Sequence, residues 1–291
     1  MIFLLNHIIY YIYEYYLNIY LCISILMSNS IDYVNCINTV TEIYDFIKNK
    51  KAGIYLRFGD GDFNLAENMD DLLAKANNNL KEMMIESMSI RDDRVFMCIP
   101  HHCKEINTLE EGMYPGNHEY PYSYVERFLK LLKGKTNNLP NKIYTNVALS
   151  YCSVHYPDIV LDLHKEIKKY NVIYIGNYLY SDDFLKKMFG ENINRINTNS
   201  NNAFEQFNFV MNELNKLIQE KFKNHEYYII IIAAGCASRA FSSVIYNNFF
   251  LNNPNFFLFD YGSLLDYLYG LNTRAYMDLM PPKKDYILDN I

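Results

Sequence analysis

The chain has 291 residues, 50% of them hydrophobic, enough for one large core or a core with a small appendage. Charged residues make up 21% and the formal net charge is -6, so the basic face of a nucleic-acid-binding protein is missing and no nucleic-acid partner is expected. Cys22, Cys36, Cys98, Cys103, Cys152 and Cys236 are too scattered for a disulfide framework and read as reduced, buried thiols of a cytoplasmic protein.

Residues 1–27 are apolar and aromatic. About 20 apolar residues can cross a bilayer, but Glu14 sits inside the run, Asn6, His7 and Asn18 interrupt it, and no Lys or Arg precedes Lys48. Signal peptides and membrane spans both carry basic flanks. Met27-Ser28-Asn29-Ser30 reads as a fresh start followed by a helix cap. The expectation is a hydrophobic segment over 1–27, untranslated or loosely attached, with membrane contact not favoured. Residues 28–291 then form one domain.

Along that domain, Val34, Ile37, Val40, Ile43, Tyr44 and Ile47 recur at helical spacing. Gly53–Phe58 reads as a strand stopped by Gly59-Asp60-Gly61-Asp62, followed by an amphipathic helix over 63–90. The strand 95–99, the helix 124–133, the strand 142–149, the helix 157–169 and the strand 171–175 come next. A helix over 181–189, a short strand near 193–196, a helix over 203–223 and the most apolar strand, 227–234, lead to a helix over 237–248. The strand 256–260 and a final helix close the chain. Continuous apolar strands alternating with amphipathic helices predict an α/β, Rossmann-like, mostly parallel sheet with helices on both faces. Ligands of such sheets lie beyond the carboxyl ends of the strands. Here those ends carry Gly59-Asp60, Gly176-Asn177, Gly235 and Asp260.

Asp60 and Asp62 on a tight turn can share one hard divalent cation, and Gly59 and Gly61 let the backbone turn and let phosphate approach. The same tetrapeptide is also an ordinary Asp-Gly turn. Arg57, just before it, suits bidentate phosphate binding. Gly235-Cys236-Ala237-Ser238 joins a strand to a helix and suits an anion at the helix N-terminus, or is a plain turn with a Ser cap. Asn202 is a candidate for base or ribose and Phe204 for stacking, against an Asn-rich loop with an N-cap. Cys98, His101, His102 and Cys103, with Cys152 and His155, offer zinc-ligand chemistry at spacings that match no zinc module. His101 also follows a strand end and is a candidate general base. Asp260, with Gly262 behind it, is placed to bind hydroxyls, Asp266 suits a helix first turn, and both stand with His101 as candidates for the catalytic general base.

Taken in order, these segments resemble the bacterial GT-D-type glycosyltransferase domain. Arg57-Phe58-Gly59-Asp60-Gly61-Asp62 is similar to its Arg-Phe-Gly-Asp-Gly-Glu turn. Arg195-Ile196 with Asn202-Ala203-Phe204, then Ala234 to Ser238, then Asp260 to Tyr267 resemble its later segments over roughly residues 40–275. The resemblance implies sugar transfer from a nucleotide sugar, a UDP-sugar, to a glycan or glycoprotein acceptor. It also implies Mn2+ or Mg2+ at Asp60 and Asp62. Three departures stand out: Asp62 replaces Glu, Ser263 replaces a His, and Leu149-Ser150-Tyr151-Cys152 replaces Ser-Arg-Pro-Tyr. A metal-dependent phosphohydrolase and a non-catalytic nucleotide-sugar-binding protein of the same fold are the alternatives.

Overall fold

The structure, a computed structural model, describes residues 31–291 apart from 73, 101–119, 134, 137–139, 222–225, 253–254, 272, 274–275 and 280. The expectations for residues 1–27 and for His101, His102 and Cys103 lie outside the described residues.

Ile229, Ile230, Ile231 and Ile232 lie in one strand, Tyr228–Ala233, and all four are fully buried. Successive strand side chains point to opposite faces. Ile230 and Ile232 accordingly join the core on one face, and Ile229 and Ile231 join the other. Each such side chain contributes about 1.5–3 kcal/mol when removed from water. Ile54, Leu56 and Leu258 on one face and Tyr55, Phe257 and Phe259 on the other repeat the pattern in the neighbouring strands. A strand apolar on both faces needs cover on both, which parallel crossover helices supply.

The strands are β1 (Asp32–Val34), β2 (Gly53–Arg57), β3 (Val95–Ile99), β4 (Lys142–Thr145), β5 (Asn171–Asn177), β6 (Ile193–Thr198), β7 (Tyr228–Ala233) and β8 (Phe256–Asp260). They form one 8-stranded sheet in the order β1-β4-β3-β2-β8-β7-β5-β6, with parallel pairing throughout. The expected α/β parallel sheet is therefore observed. Its helices are α1 (Cys36–Lys48), α2 (Asp60–Ala66), α3 (Asn78–Met88), α4 (Tyr120–Leu132), α5 (Ala148–His155), α6 (Pro157–Ile167), α7 (Asp182–Phe189), α8 (Phe207–Lys221), α9 (Ala237–Ile245), α10 (Leu264–Tyr269), α11 (Tyr276–Leu279) and α12 (Lys284–Asn290). Helices α1, α5 and α6 pack together, and α3 packs on α9.

Several boundaries differ from the sequence expectation. The start of the first helical pattern holds β1, whose Asp32, Tyr33 and Val34 pair with Lys142, Ile143 and Tyr144. Three residues are too few to display a period, and Asn35 then starts α1 by accepting the Asn38 N–H at 2.8 Å. The helix expected over 63–90 is two helices. Asn68 adopts a left-handed φ of 67°, and Asn77 caps α3 by accepting the N–H groups of Asn79 and Leu80. The strand expected over 142–149 ends at Thr145, because Ala148 already belongs to α5. A 3-10 turn, Ala203–Gln206, precedes α8, and a π-helical turn, Tyr246–Phe250, continues α9.

Gly176, expected beside a ligand, lies inside β5 instead. A Cβ there would stand 2.7 Å from the Ala233 carbonyl oxygen of the adjoining strand β7 and would also meet the Tyr174 hydroxyl. Its missing side chain permits the approach of β5 to β7. Gly176→Ala is expected to lower stability by about 1–3 kcal/mol through overpacking. Urea denaturation would register this as a lower midpoint at unchanged slope.

Candidate functional site

The carboxyl ends of β2, β4, β5, β6, β7 and β8 open into one cleft of about 370 Å³. Its walls include Arg57, Gly59, Asp60, Gly61, Asp62, Gly235, Asp260, Gly262 and Asp266 from the sequence expectation. Cys236, from the same strand-to-helix segment as Gly235, lines it too, as do Arg239, Asn146 and Tyr180, which were not singled out from the sequence.

Asp60-Gly61-Asp62 is not the tight turn expected. It is the first turn of α2, with Gly59 as N-cap. The cause is local: the Asp62 carboxylate reaches back and its Oδ2 accepts the Gly59 N–H at 2.7 Å. At Gly61 a Cβ would run into the Asp71 carboxylate, which would have to move aside. At 3.6 residues per turn, positions two apart diverge by about 200° around the axis. Asp60 accordingly stands exposed at the mouth, whereas Asp62 is 2% exposed.

Asp62 belongs to a buried ion cluster. Arg239 donates from Nη2 to Asp62 Oδ2 at 2.9 Å and from Nη1 to Asp260 Oδ2 at 2.6 Å. Its guanidinium lies 5.9 Å from the centre of the Phe58 ring. Burial pushes the Asp62 carboxyl up to about 6, against the opposing pull of Arg239 and of the Gly59 N–H. Repulsion from Asp260 adds to the rise, and the Cys236 thiol beside it eases it. Burial likewise raises Asp260, opposed by Arg239 and Arg57. Burial disfavours the Arg239 charge, yet the two carboxylates outweigh it and keep the guanidinium protonated. Three acceptor oxygens at this spot, Asp62 Oδ1, Asp260 Oδ1 and Asn146 Oδ1, are buried without a hydrogen-bond partner. Such atoms typically cost about 1–3 kcal/mol each.

Arg57, expected as a phosphate ligand, spans strand ends. Its Nε donates to the Asn146 carbonyl at 2.7 Å and its Nη1 to the Tyr261 carbonyl at 3.0 Å. Gly262, at φ 67°, has no room for a Cβ because Arg57 Nη1 fills the space. Gly235, at φ 58°, has no atom within 4 Å of a would-be Cβ, so the backbone before α9 faces open cleft. Ser238 is buried, and its Oγ accepts the Ala234 N–H at 3.3 Å, which makes it a brace for that turn rather than cleft wall. Asn202, at φ 50°, uses Oδ1 to hold the Lys75 N–H at 3.1 Å. Phe204 packs 5.4 Å from the Phe207 ring. The cleft is lined there by Asn199 and Ser200 instead. Asp266 accepts from the Tyr180 hydroxyl and, at 2.8 Å, from Thr273 Oγ1.

The described zinc-type residues, Cys98, Cys152 and His155, form no metal-holding group. Cys98 is fully buried in β3 with its thiol donating to the Phe96 carbonyl. Cys152 is buried in α5, and His155 packs 4.6 Å from the Tyr151 ring. Among the described residues no group of three or more His, Cys, Asp or Glu could hold a metal ion.

No family model and no curated protein matches the chain. Solved structures do. One, described as a new glycosyltransferase (DUF1792) from Streptococcus sanguinis, is 17% identical, with a TM-score of 0.57 over 80% of this chain and 82% of that one. Another, described as showing that the domain of unknown function 1792 has a distinct glycosyltransferase fold, is 16% identical, with a TM-score of 0.55 over 83% of each chain. The chain has the fold of these glycosyltransferases. The GT-D-type resemblance read from the motifs is thereby matched in three dimensions.

The Asp62 shift sets a pH dependence. Burial holds the folded carboxyl at about 6, above the ordinary Asp value, so the folded state binds the proton more tightly. This stabilisation is complete below the unfolded value and is lost as pH rises through the folded one. Subtracting the melting-temperature profile of Asp62→Asn from that of the wild type should therefore leave a curve that falls between about pH 4 and pH 6. A flat or rising difference would contradict the burial argument.

Proposed function

We propose that the protein is a glycosyltransferase that moves a sugar from a nucleotide sugar, a UDP-sugar, to a hydroxyl of a glycan or glycoprotein acceptor. The observation that carries this reading is the cleft: on a sheet with a glycosyltransferase fold, it gathers the acidic and glycine-bearing strand ends at one place. The open backbone at Gly235, before the N-terminus of α9, suits close approach of a diphosphate. Arg57 and Arg239 supply positive charge to the wall. The carboxylates of Asp60, Asp62, Asp260 and Asp266 outnumber them, so the donor's phosphates need a further cation. A divalent ion, Mn2+ or Mg2+, would when bound neutralise the diphosphate and the charge that develops on the leaving nucleotide.

Asp266 is the residue best placed to accept a proton from the acceptor hydroxyl. It lies on the cleft wall, and the hydroxyls of Tyr180 and Thr273 orient its two oxygens. Asp260 is fixed by Arg239 and serves the wall. Among the described residues no helix is long and apolar enough to cross a membrane. Cys36, Cys98, Cys152 and Cys236 are buried thiols outside any disulfide, which fits a reducing cytoplasm.

A melting panel of nucleotide sugars with Mn2+ tests the reading. A ligand at 100 times its Kd stabilises by about 2.7 kcal/mol, which corresponds to roughly 5 °C for a chain of this size. UDP-sugars are expected to give that shift and slow donor hydrolysis. Shifts without turnover of any donor would identify a non-catalytic binding protein, and no shift with any nucleotide sugar would refute the proposal.

A further inference from the structure

The cation of this cleft needs ligands, and the pair read from the sequence does not converge. Asp60 is exposed at the first position of α2, and Asp62 is buried two positions on, about 200° round the helix. The carboxylate tied to Asp62 within the cleft lining is Asp260. Both carboxylates are held by the same guanidinium, each through Oδ2. Each keeps Oδ1 buried and without a hydrogen-bond partner. Asn146 shows the same pattern: its Nδ2 donates to the Phe58 carbonyl at 2.9 Å, and its Oδ1 has no partner. All three residues line the same cleft, and they are 2%, 1% and 6% exposed.

We propose that Asp62, Asp260 and Asn146 form the divalent-cation seat of the cleft, and that Arg239 is the positioning residue that presents the two carboxylates to it. The proposal rests on the reading of the cleft as a cation-assisted donor site.

The chemistry of the donor set supports a hard cation. Three unpaired oxygens that can only accept call for a partner. Two of them belong to carboxylates, and oxygen-only sets with carboxylates suit Mg2+ or Mn2+. A sugar hydroxyl would satisfy one oxygen and leave the negative excess of the wall in place. The Arg239 contacts fit as well, since carboxylates that ligate a metal are held by hydrogen bonds to their other oxygen. The guanidinium is itself held: Nη1 also donates to the Gly235 carbonyl at 3.3 Å, and the Phe58 ring lies beside it.

The test is a Mn2+ titration of the full chain, followed by electron paramagnetic resonance of free Mn2+, with and without UDP. The wild type is expected to bind Mn2+, and Asp260→Asn and Asn146→Ala to weaken that binding. Arg239→Lys keeps the charge but loses the planar fork that bridges two carboxylates. It should weaken Mn2+ binding by about 10–100-fold although it touches no cation. Asp60→Asn should leave Mn2+ affinity within about twofold, since its side chain stands outside the seat. Asn146→Ala lies outside the ion cluster, so it decides the matter if the Asp260 or Arg239 variants fail to fold. Loss of Mn2+ binding in Asp60→Asn with full binding in Asn146→Ala and Asp260→Asn would place the cation elsewhere and overturn the proposal, while leaving the glycosyltransferase reading intact. UDP binding by a wild type that takes up no Mn2+ would do the same. Failure to bind either UDP or Mn2+ would remove both.

Discussion

Arg239 lies between two buried carboxylates contributed by parts of the chain far apart: Asp62, 177 residues earlier, and Asp260, 21 residues later. Taking three charged groups out of water is costly, and their attraction offsets that cost only when hydrogen-bond geometry is good. Here the distances are 2.9 and 2.6 Å. Removing one member of such a cluster strands a buried charge and typically costs about 3–5 kcal/mol. The cluster is therefore a weak source of net stability and a strong source of position. It fixes the first turn of α2 against the end of β8 through a residue of α9. Arg57 does a second piece of the same work, tying the end of β2 to the carbonyls of Asn146 and Tyr261.

These ties explain why the site lies where it does. The strands β2, β8 and β7 are neighbours at the centre of the sheet, although β8 and β7 follow β2 by most of the chain. Their apolar bodies are buried on both faces, and charge appears only at the carboxyl ends of β2 and β8, as Arg57 and Asp260. A parallel sheet places all such ends on one edge, so polar residues that would be intolerable inside the core collect in one opening. Two of the left-handed glycines, Gly235 and Gly262, sit at the ends of β7 and β8 for different reasons. One leaves space open to the cleft, and the other makes room for the Arg57 guanidinium.

The apolar strands were legible because a buried parallel strand is an uninterrupted hydrophobic run. The ends of β7 and β8 read from the sequence agree with the structure to within a residue. The three-residue β1 exists only through its pairing with β4, which no local pattern encodes. The Asp60-Gly61-Asp62 segment misled for a related reason: Asp-Gly composition favours a turn, but the back-bond from Asp62 to Gly59 starts a helix. Arg239 had a signal that went unread, a single cation within a helix otherwise buried through alanines, serines and apolar residues. A buried Arg demands a carboxylate partner, although sequence does not say which one. Asn146 had no signal at all in a chain so rich in Asn. Asn202 and Phe204 illustrate the reverse error: their residue types suit a nucleotide, but the backbone turns them toward Lys75 and the core.

The departures from the GT-D-type motifs acquire a physical meaning in this setting. The short Asp62 side chain fits the 2.7 Å contact with the Gly59 N–H and the 2.9 Å contact with Arg239 at once. Where the resembling motif has an Arg, this chain has Ser150, buried in α5. Among the described residues lining the cleft, the cations are then Arg57 and Arg239, and each already serves a carbonyl or carboxylate. Four carboxylates share the same wall. A diphosphate entering such a cleft meets a negative excess that the protein's own guanidiniums do not cancel. In the proposed function, affinity for the donor would then depend on a counter-charge bound with it. On that reading the acids at the strand ends would act on the donor through the counter-charge, and Arg239, which holds Asp62 and Asp260 together, would set the geometry of both.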